Sequence, residues 1–182
     1  MPALKASPAH GRSRYYAIMK IKTTRFGEIE IEEGKIITFP AGIPGFQNEK
    51  RYVLLPAGDD SPLIWLQSVE NPALAFLAAS PADFGLNYSF DLSDTIAEEL
   101  EIQAPDDLLI LVLLTLRREE EGRDGQVKVT ANLLGPLVIN ANKKKGRQVV
   151  LDPSKYPVQY DMSAFFKKSA GGPDKGRQAA SP

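Results

Sequence analysis

A chain of 182 residues, 43% of them hydrophobic, has the length and composition of one globular domain with its own core. Without cysteine it holds no disulfide and no thiolate metal site, a composition compatible with a reducing cytoplasm. The net charge of −1 hides an acidic body: residues 19–161 carry 15 basic and 22 acidic residues, a balance of −7 that attracts basic partners and opposes nucleic acid, or only keeps the domain soluble.

Residues 1–18 contain small residues, two prolines and little periodicity, which predicts a flexible N-terminal arm, with Met19 a candidate true start. They lack the apolar stretch of a signal peptide. Residues 20–24 read as a first strand. Glu28, Ile29, Glu30, Ile31 and Glu32 alternate strictly, so Ile29 and Ile31 should face the core. Residues 35–39 read as a third strand, completing a meander. The segment PAGIPGF at 40–46 is a rigid corner, with Phe46 as its expected anchor in the core.

Residues 52–55, 63–69 and 74–79 read as strands, separated by turns at 58–62 and at Glu70, Asn71 and Pro72. Trp65, the one tryptophan, reads as a packing residue. Residues 93–100 predict a short helix: Ser93 caps it, Asp94 suits its positive end, and Ile96, Ala97 and Leu100 share an apolar face. The run LLILVLLTL at 108–116 is far below the ~20 residues that span a bilayer, and its length and bounding turns predict a central strand buried on both faces. Residues 117–125 read as a solvated loop and 127–134 as a strand.

Residues 130–156 organise the chain. Leu137, Ile139 and Ala141 alternate with Val138, Asn140 and Asn142, the pattern of a strand with one buried face. Residues 143–147, with Gly146, predict the hairpin loop, and 148–151 the return strand. Asn132 and Asn140, polar within apolar strands, read as satisfying turning backbone. Residues 161–182 predict a flexible basic tail, with Phe165 and Phe166 docking at its root. The total is a mainly β chain: a small closed β-barrel or sandwich-like barrel over residues 19–160, with one short α-helix.

Catalytic chemistry finds little support. His10, the only histidine, lies in the arm, so the body lacks the base of a Ser-His-Asp or Cys-His site. The neighbouring acids Asp59 and Asp60, or Asp106 and Asp107, read as turn formers rather than catalytic pairs. No nucleotide motif is present, and no metal or cofactor is expected. Lys143, Lys144, Lys145 and Arg147 form one basic cluster at the hairpin tip. Without interleaved aromatics it reads as a solvated tip, or as a rim contact to an acidic protein, rather than a nucleic-acid site.

Four blocks, TRFGEIEI (24–31), KIITFPAGIPGF (35–46), WLQSVENPALAF (65–76) and TANLLGPLVIN with KGRQVVL and SKY (130–156), stand in the order seen in the flagellar assembly factor FliW family. The resemblance covers residues 19–160. It implies a cytoplasmic, non-enzymatic, β-barrel-like protein that binds flagellin and antagonises the RNA-binding translational repressor CsrA, tying flagellin synthesis to secretion. The loop at 117–125 is longer and more charged than the family's usual one, and Gly135 stands where alanine is expected. An acidic surface matches a basic repressor, and acids in exposed turns are its candidate contacts: Glu70 beside Asn71, Asp91 and Asp94 around the helix start, and Glu98 and Glu99 on its polar face. Flagellin is expected to dock as a helical segment in an apolar groove. An alternative function is a small barrel that holds an apolar small molecule between Phe46, Trp65 and Phe76.

Overall fold

The computed structural model describes residues 4–6, 15–118 and 127–169, with side chains for 17–118 and 127–166. Strands dominate. A three-stranded sheet holds β1 (Leu4–Ala6), β2 (Tyr15–Thr23) and β3 (Gly27–Glu32). The large sheet contains β4 (Ile37–Thr38), β5 (Arg51–Pro56), β6 (Leu63–Ser68), β7 (Ala75–Ala79), β8 (Leu108–Arg118), β9 (Val127–Ala131), β10 (Leu137–Asn140), β11 (Lys145–Gln148) and β12 (Tyr160–Asp161). The helices are α1 (Asp94–Glu99) and α2 (Ser163–Ser169). No helix among the described residues is long and apolar enough to cross a membrane.

β4 to β8 run as successive antiparallel neighbours, and β11 joins β4 in parallel at Lys145–Thr38. β10 pairs with β11 on one edge and β8 on the other, which turns the sheet into a ring. Ile37, Phe39, Tyr52, Leu66, Leu111, Leu137 and Ile139 fill it, giving the sandwich-like barrel expected from the strand pattern. Outside the ring, α2 and Met162 cover β9, and Phe84 meets Phe165 and Phe166 at ring-centroid distances of 5.7 and 5.5 Å. The aromatic docking read at 165–166 is therefore present, but on an ordered helix that the sequence pattern did not signal.

Other local readings change. β2 starts at Tyr15, and Leu4–Ala6 pairs with it, so part of the expected arm is strand; the rest, including His10, lies outside the described residues. The third strand shrinks to Ile37–Thr38, and it leaves the β2–β3 hairpin to pair with β5 and β11, so no meander forms. Ile43, 1% exposed, anchors the 40–46 corner; Phe46 is 40% exposed and packs edge-on against Phe76 at 5.1 Å. The apolar run at 108–116 is a central strand, but only Leu111, Val112 and Leu114 are buried; residues 108–110 and 113 are half-buried, and Leu116 is 52% exposed. Arg117 and Arg118 extend that strand, while residues 119–126 of the expected loop lie outside the described residues.

The organising hairpin is displaced by two to three residues. Its turn is residues 141–144, and Lys144 (φ 56°) supplies the left-handed residue. Gly146 sits inside β11 opposite Ile139, where a Cβ would lie 2.6 Å from Phe39 Cζ. The glycine is there for close approach rather than for a turn. All four β10 residues are buried, not one face alone, because Leu100 and Ile96 of the α1 segment cover Val138. At Gly135 an added Cβ would lie 2.7 Å from Gln148 Nε2, which donates to the Gly135 carbonyl at 2.8 Å, so alanine here would displace that side chain.

Candidate functional site

The acids predicted as contacts fall on two elements. Glu70 and Asn71 form the β6–β7 turn. Glu70 is ion-paired with Arg51 Nε. Asn71 N donates to Ser68 Oγ at 3.0 Å, its Nδ2 donates to Glu49 Oε1 at 3.3 Å, and its Oδ1 accepts from Ala73 N at 3.1 Å. Both residues are engaged in holding the turn.

Asp91, Asp94, Glu98 and Glu99 lie on or before α1. Ser93 occupies the cap position, but its side chain makes no capping bond, so Asp94 in the first turn is left to complement the positive helix end. Leu100 and Ile96 bury one side of this segment against Val138 and Val149. Glu99 turns to β11 and pairs with Arg147. Glu101, just past the helix, accepts from Lys145 Nζ at 2.5 Å and lies 3.1 Å from Lys143 Nζ; these bonds hold its carboxyl below the usual range. Asp91, Asp94 and Glu98 remain exposed, without a cationic partner among the described residues.

Three of the four cations of the hairpin tip are thus spent on Glu99 and Glu101, and Lys144 Nζ donates to the Ala141 carbonyl at 2.5 Å. Lys143, Lys145 and Arg147 are therefore ion-paired within the chain while their side chains stay 37–47% exposed. Asn140 fixes the tip: its Nδ2 donates to the carbonyls of Leu100 and Glu101, both at 2.9 Å, and its Oδ1 accepts from Asn142 N and Lys143 N. Asn132 Oδ1 accepts from Gly135 N at 3.0 Å. Both asparagines satisfy turning backbone, as their sequence setting suggests.

The acid pairs are turn formers. Asp107 accepts from Gln103 N, Asn142 Nδ2 and Ala104 N, which together hold its carboxyl below the usual range. Asp60 takes a left-handed turn conformation, φ 57°. Among the described residues no three His, Cys, Asp or Glu side chains gather as a metal site.

Phe46, Trp65 and Phe76 do not surround one cavity. Trp65 and Phe76 border an open groove of about 690 Å³ between β7 and β8, and Phe46 is not among its lining residues. Arg25, from the β2–β3 turn, places its guanidinium 3.9 Å from the Trp65 ring centroid. Thr24 N, bonded to the Pro72 carbonyl at 2.8 Å, fixes that turn beside the groove. No local sequence pattern signals this groove, because it arises where two strands cease to pair.

A family model described as FliW protein matches residues 20–162. The flagellar assembly factor FliW of Bacillus licheniformis is 44% identical over 138 residues, covering 76% of this chain and 92% of that protein. That of Syntrophus aciditrophicus is 43% identical over 144 residues, covering 79% and 87%. The Bacillus subtilis protein of the same name is 42% identical over 144 residues, covering 79% and 96%. A crystal structure of the flagellar assembly factor FliW superposes with a TM-score of 0.67 at 40% identity, covering 79% of this chain and 96% of that one.

Proposed function

The chain belongs to the FliW family of flagellar assembly factors, and from that premise we propose that it is a non-enzymatic cytoplasmic protein that binds flagellin and antagonises the translational repressor CsrA. Flagellin held by the chain would free the repressor, and export of flagellin would return the chain to it, so that synthesis follows secretion.

One observation carries the repressor half. Asp91, Asp94 and Glu98 form an exposed acidic ledge with no cationic partner among the described residues, on a body of net charge −7. Such a ledge suits the basic surface of an RNA-binding protein and repels RNA from the complex. Glu70 and Glu99, already paired with arginines, contribute less. Flagellin is held elsewhere, with apolar contact contributing more than charge.

The test is a salt titration of both affinities with purified flagellin and CsrA. Repressor binding should weaken steeply with salt, over a screening length of ~8 Å at physiological ionic strength. Flagellin binding should change less. Repressor affinity that is independent of salt and survives Asp94→Lys and Glu98→Lys would sink the electrostatic account.

A further inference from the structure

The sheet ring has one place where its ladder stops short. β7 pairs with β6 along its whole length, from Ala79 to Ala75, and β8 pairs with β9 from Leu114 to Arg118. β7 and β8, however, pair with each other only at Ala78–Leu113 and Ala79–Val112. Continued register would set Phe76 opposite Thr115 and Ala75 opposite Leu116. Neither pair forms, and these four residues line the groove instead.

Strand alternation identifies what is left over. Asn132 N donates to the Leu113 carbonyl at 2.9 Å, so the main-chain groups of Leu113, Thr115 and Arg117 face β9, and those of Leu116 and Arg118 face the gap. Ser68 N donates to the Leu74 carbonyl at 2.9 Å, so Leu74, Phe76 and Ala78 face β6, and Ala75 faces the gap. Among the described residues, Ala75 on one side and Leu116 and Arg118 on the other therefore have no strand partner across the groove.

Side chains give the groove a character opposite to the rest of the body. Arg25 and Arg117 line it, and no acid does. Neither arginine has an acidic partner among the described residues. Leu116 and Val158, two of the exposed large hydrophobics, border it. An adjoining cavity, bounded by Thr24, Arg25, Pro72 and Ala75, contains Gln67 in its wall. Gln67 is fully buried; its Nε2 donates to the carbonyls of Ser68, Asn71 and Leu74, while its Oε1 has no partner among the described residues.

We propose that the split between β7 and β8 receives an extended, acidic-apolar segment of a partner protein, which adds as a strand to the free edges. Its main chain bonds the edge of Leu116, its apolar side chains pack on Phe76, Leu113 and Val158, and a carboxylate meets Arg25 and Arg117. An inserted helix carries its own backbone bonds and would leave the edges of Ala75 and Leu116 dry and unpaired, so the extended form fits where a helix does not. The chain's own residues 170–182 are a poor occupant: they carry Lys175 and Arg177 against Asp174 and contain no Leu, Ile, Val or Phe. The inference deepens the flagellin-binding reading and rests on it for the probe.

The experiment measures monomeric flagellin binding together with amide exchange across the chain. Binding should protect amides at 75–77 and 114–118. Leu116→Pro removes a gap-facing N–H that no neighbouring strand uses, so the variant should melt close to the wild type yet bind about tenfold or more weakly. Leu116→Ala keeps the N–H and should bind within about threefold of the wild type. Arg25→Glu, at the groove's rim, should weaken binding about fivefold or more. If Leu116→Pro does not fold, the exchange pattern and Arg25→Glu decide. Flagellin that binds without protecting these amides, and equally well with Arg25→Glu, overturns the groove and leaves the function standing. A wild-type chain that does not bind flagellin overturns the function, and with it the groove's assigned occupant.

Discussion

β8 closes the ring on both its edges, and the two closures differ. Toward β10 it makes four consecutive pairs, from Leu137–Leu111 to Asn140–Leu108, and β10 passes four more to β11. Every β10 residue is buried, Asn140 bonds two carbonyls and two amides, and Glu99 and Glu101 neutralise the neighbouring cations. Toward β7 it makes two pairs, then parts, leaving edge groups without a strand partner and two arginines without an acidic partner among the described residues. Similar apolar strand sequence builds both seams. What separates them is how far the ladder runs and whether each polar group finds a partner. The sealed seam spends its polar residues on the fold, and the open one leaves them for a ligand.

The sharpest way to test this contrast is to place the same charge on each side. Ile139 is 0% exposed and Leu116 is 52% exposed. Ile139→Asp should destabilise by ~3 kcal/mol or more, because an unpaired carboxylate enters the packed ring. Leu116→Asp should stay within about 0.5 kcal/mol. Urea unfolding of the two variants checks this, and equal losses would mean that the seams are alike.

A smaller change should still be felt in the sealed seam. Gly146→Ala would place a methyl 2.6 Å from Phe39 Cζ and 2.7 Å from its Cε1. The ring is enclosed and cannot swing away, so a loss of about 1–3 kcal/mol is expected in the same measurement. Wild-type stability in this variant would mean that Phe39 has room to move.

These two residues also mark how far the sequence could be read. Apolar runs bounded by turn residues placed β5, β6, β7 and β8 within a residue or two, and period-2 alternation put Ile139 inside, because burial leaves a local pattern. Gly146 reads as a loop residue from sequence alone, since a glycine that permits a turn and one that permits close approach look the same until the opposing Phe39 is known. Glu70 and Glu99 looked like free surface acids. Their partners Arg51 and Arg147 lie 19 and 48 residues away, beyond the reach of local pattern. The β7–β8 split was illegible for a related reason: the apolar run of β8 continues past the point where pairing ends.

Charge supplies the next test, with effects in binding rather than folding. Asp94→Lys and Glu98→Lys should each slow association with the basic repressor by roughly 3- to 10-fold at low salt, with dissociation and melting temperature little changed. Glu99→Lys should instead lower stability, by exposing Arg147 to a like charge. Stopped-flow or surface-binding kinetics at two salt concentrations separates these cases. A ledge that matters no more than the paired Glu70 would remove the functional half of the comparison.

The smallest expected effect lies at Tyr52, which stands between the seams. Its ring meets Phe39, under the sealed one, edge-on at 5.4 Å, and Phe76, beside the open one, at 6.2 Å. The residue is 0% exposed, and its hydroxyl has no hydrogen-bond partner among the described residues. Tyr52→Phe keeps the ring and removes an unpaired polar atom, so stability at neutral pH should change by no more than about 1 kcal/mol, in either direction. Alkali distinguishes the two proteins. Burial, then the nearby charges of Glu49 and Glu70, push the phenol up to about 12, against an ordinary value of 10.0. Because the folded value is raised, the wild-type contribution is intact below about pH 10 and is lost as pH rises towards 12, where the unfolded chain ionises and the folded one resists. Phenylalanine carries no such dependence. The variant's stability advantage in urea should therefore be flat from pH 7 to 9 and grow between pH 10 and 12. A variant already several kcal/mol weaker at pH 7 would show that the hydroxyl is bonded, most simply through a buried water.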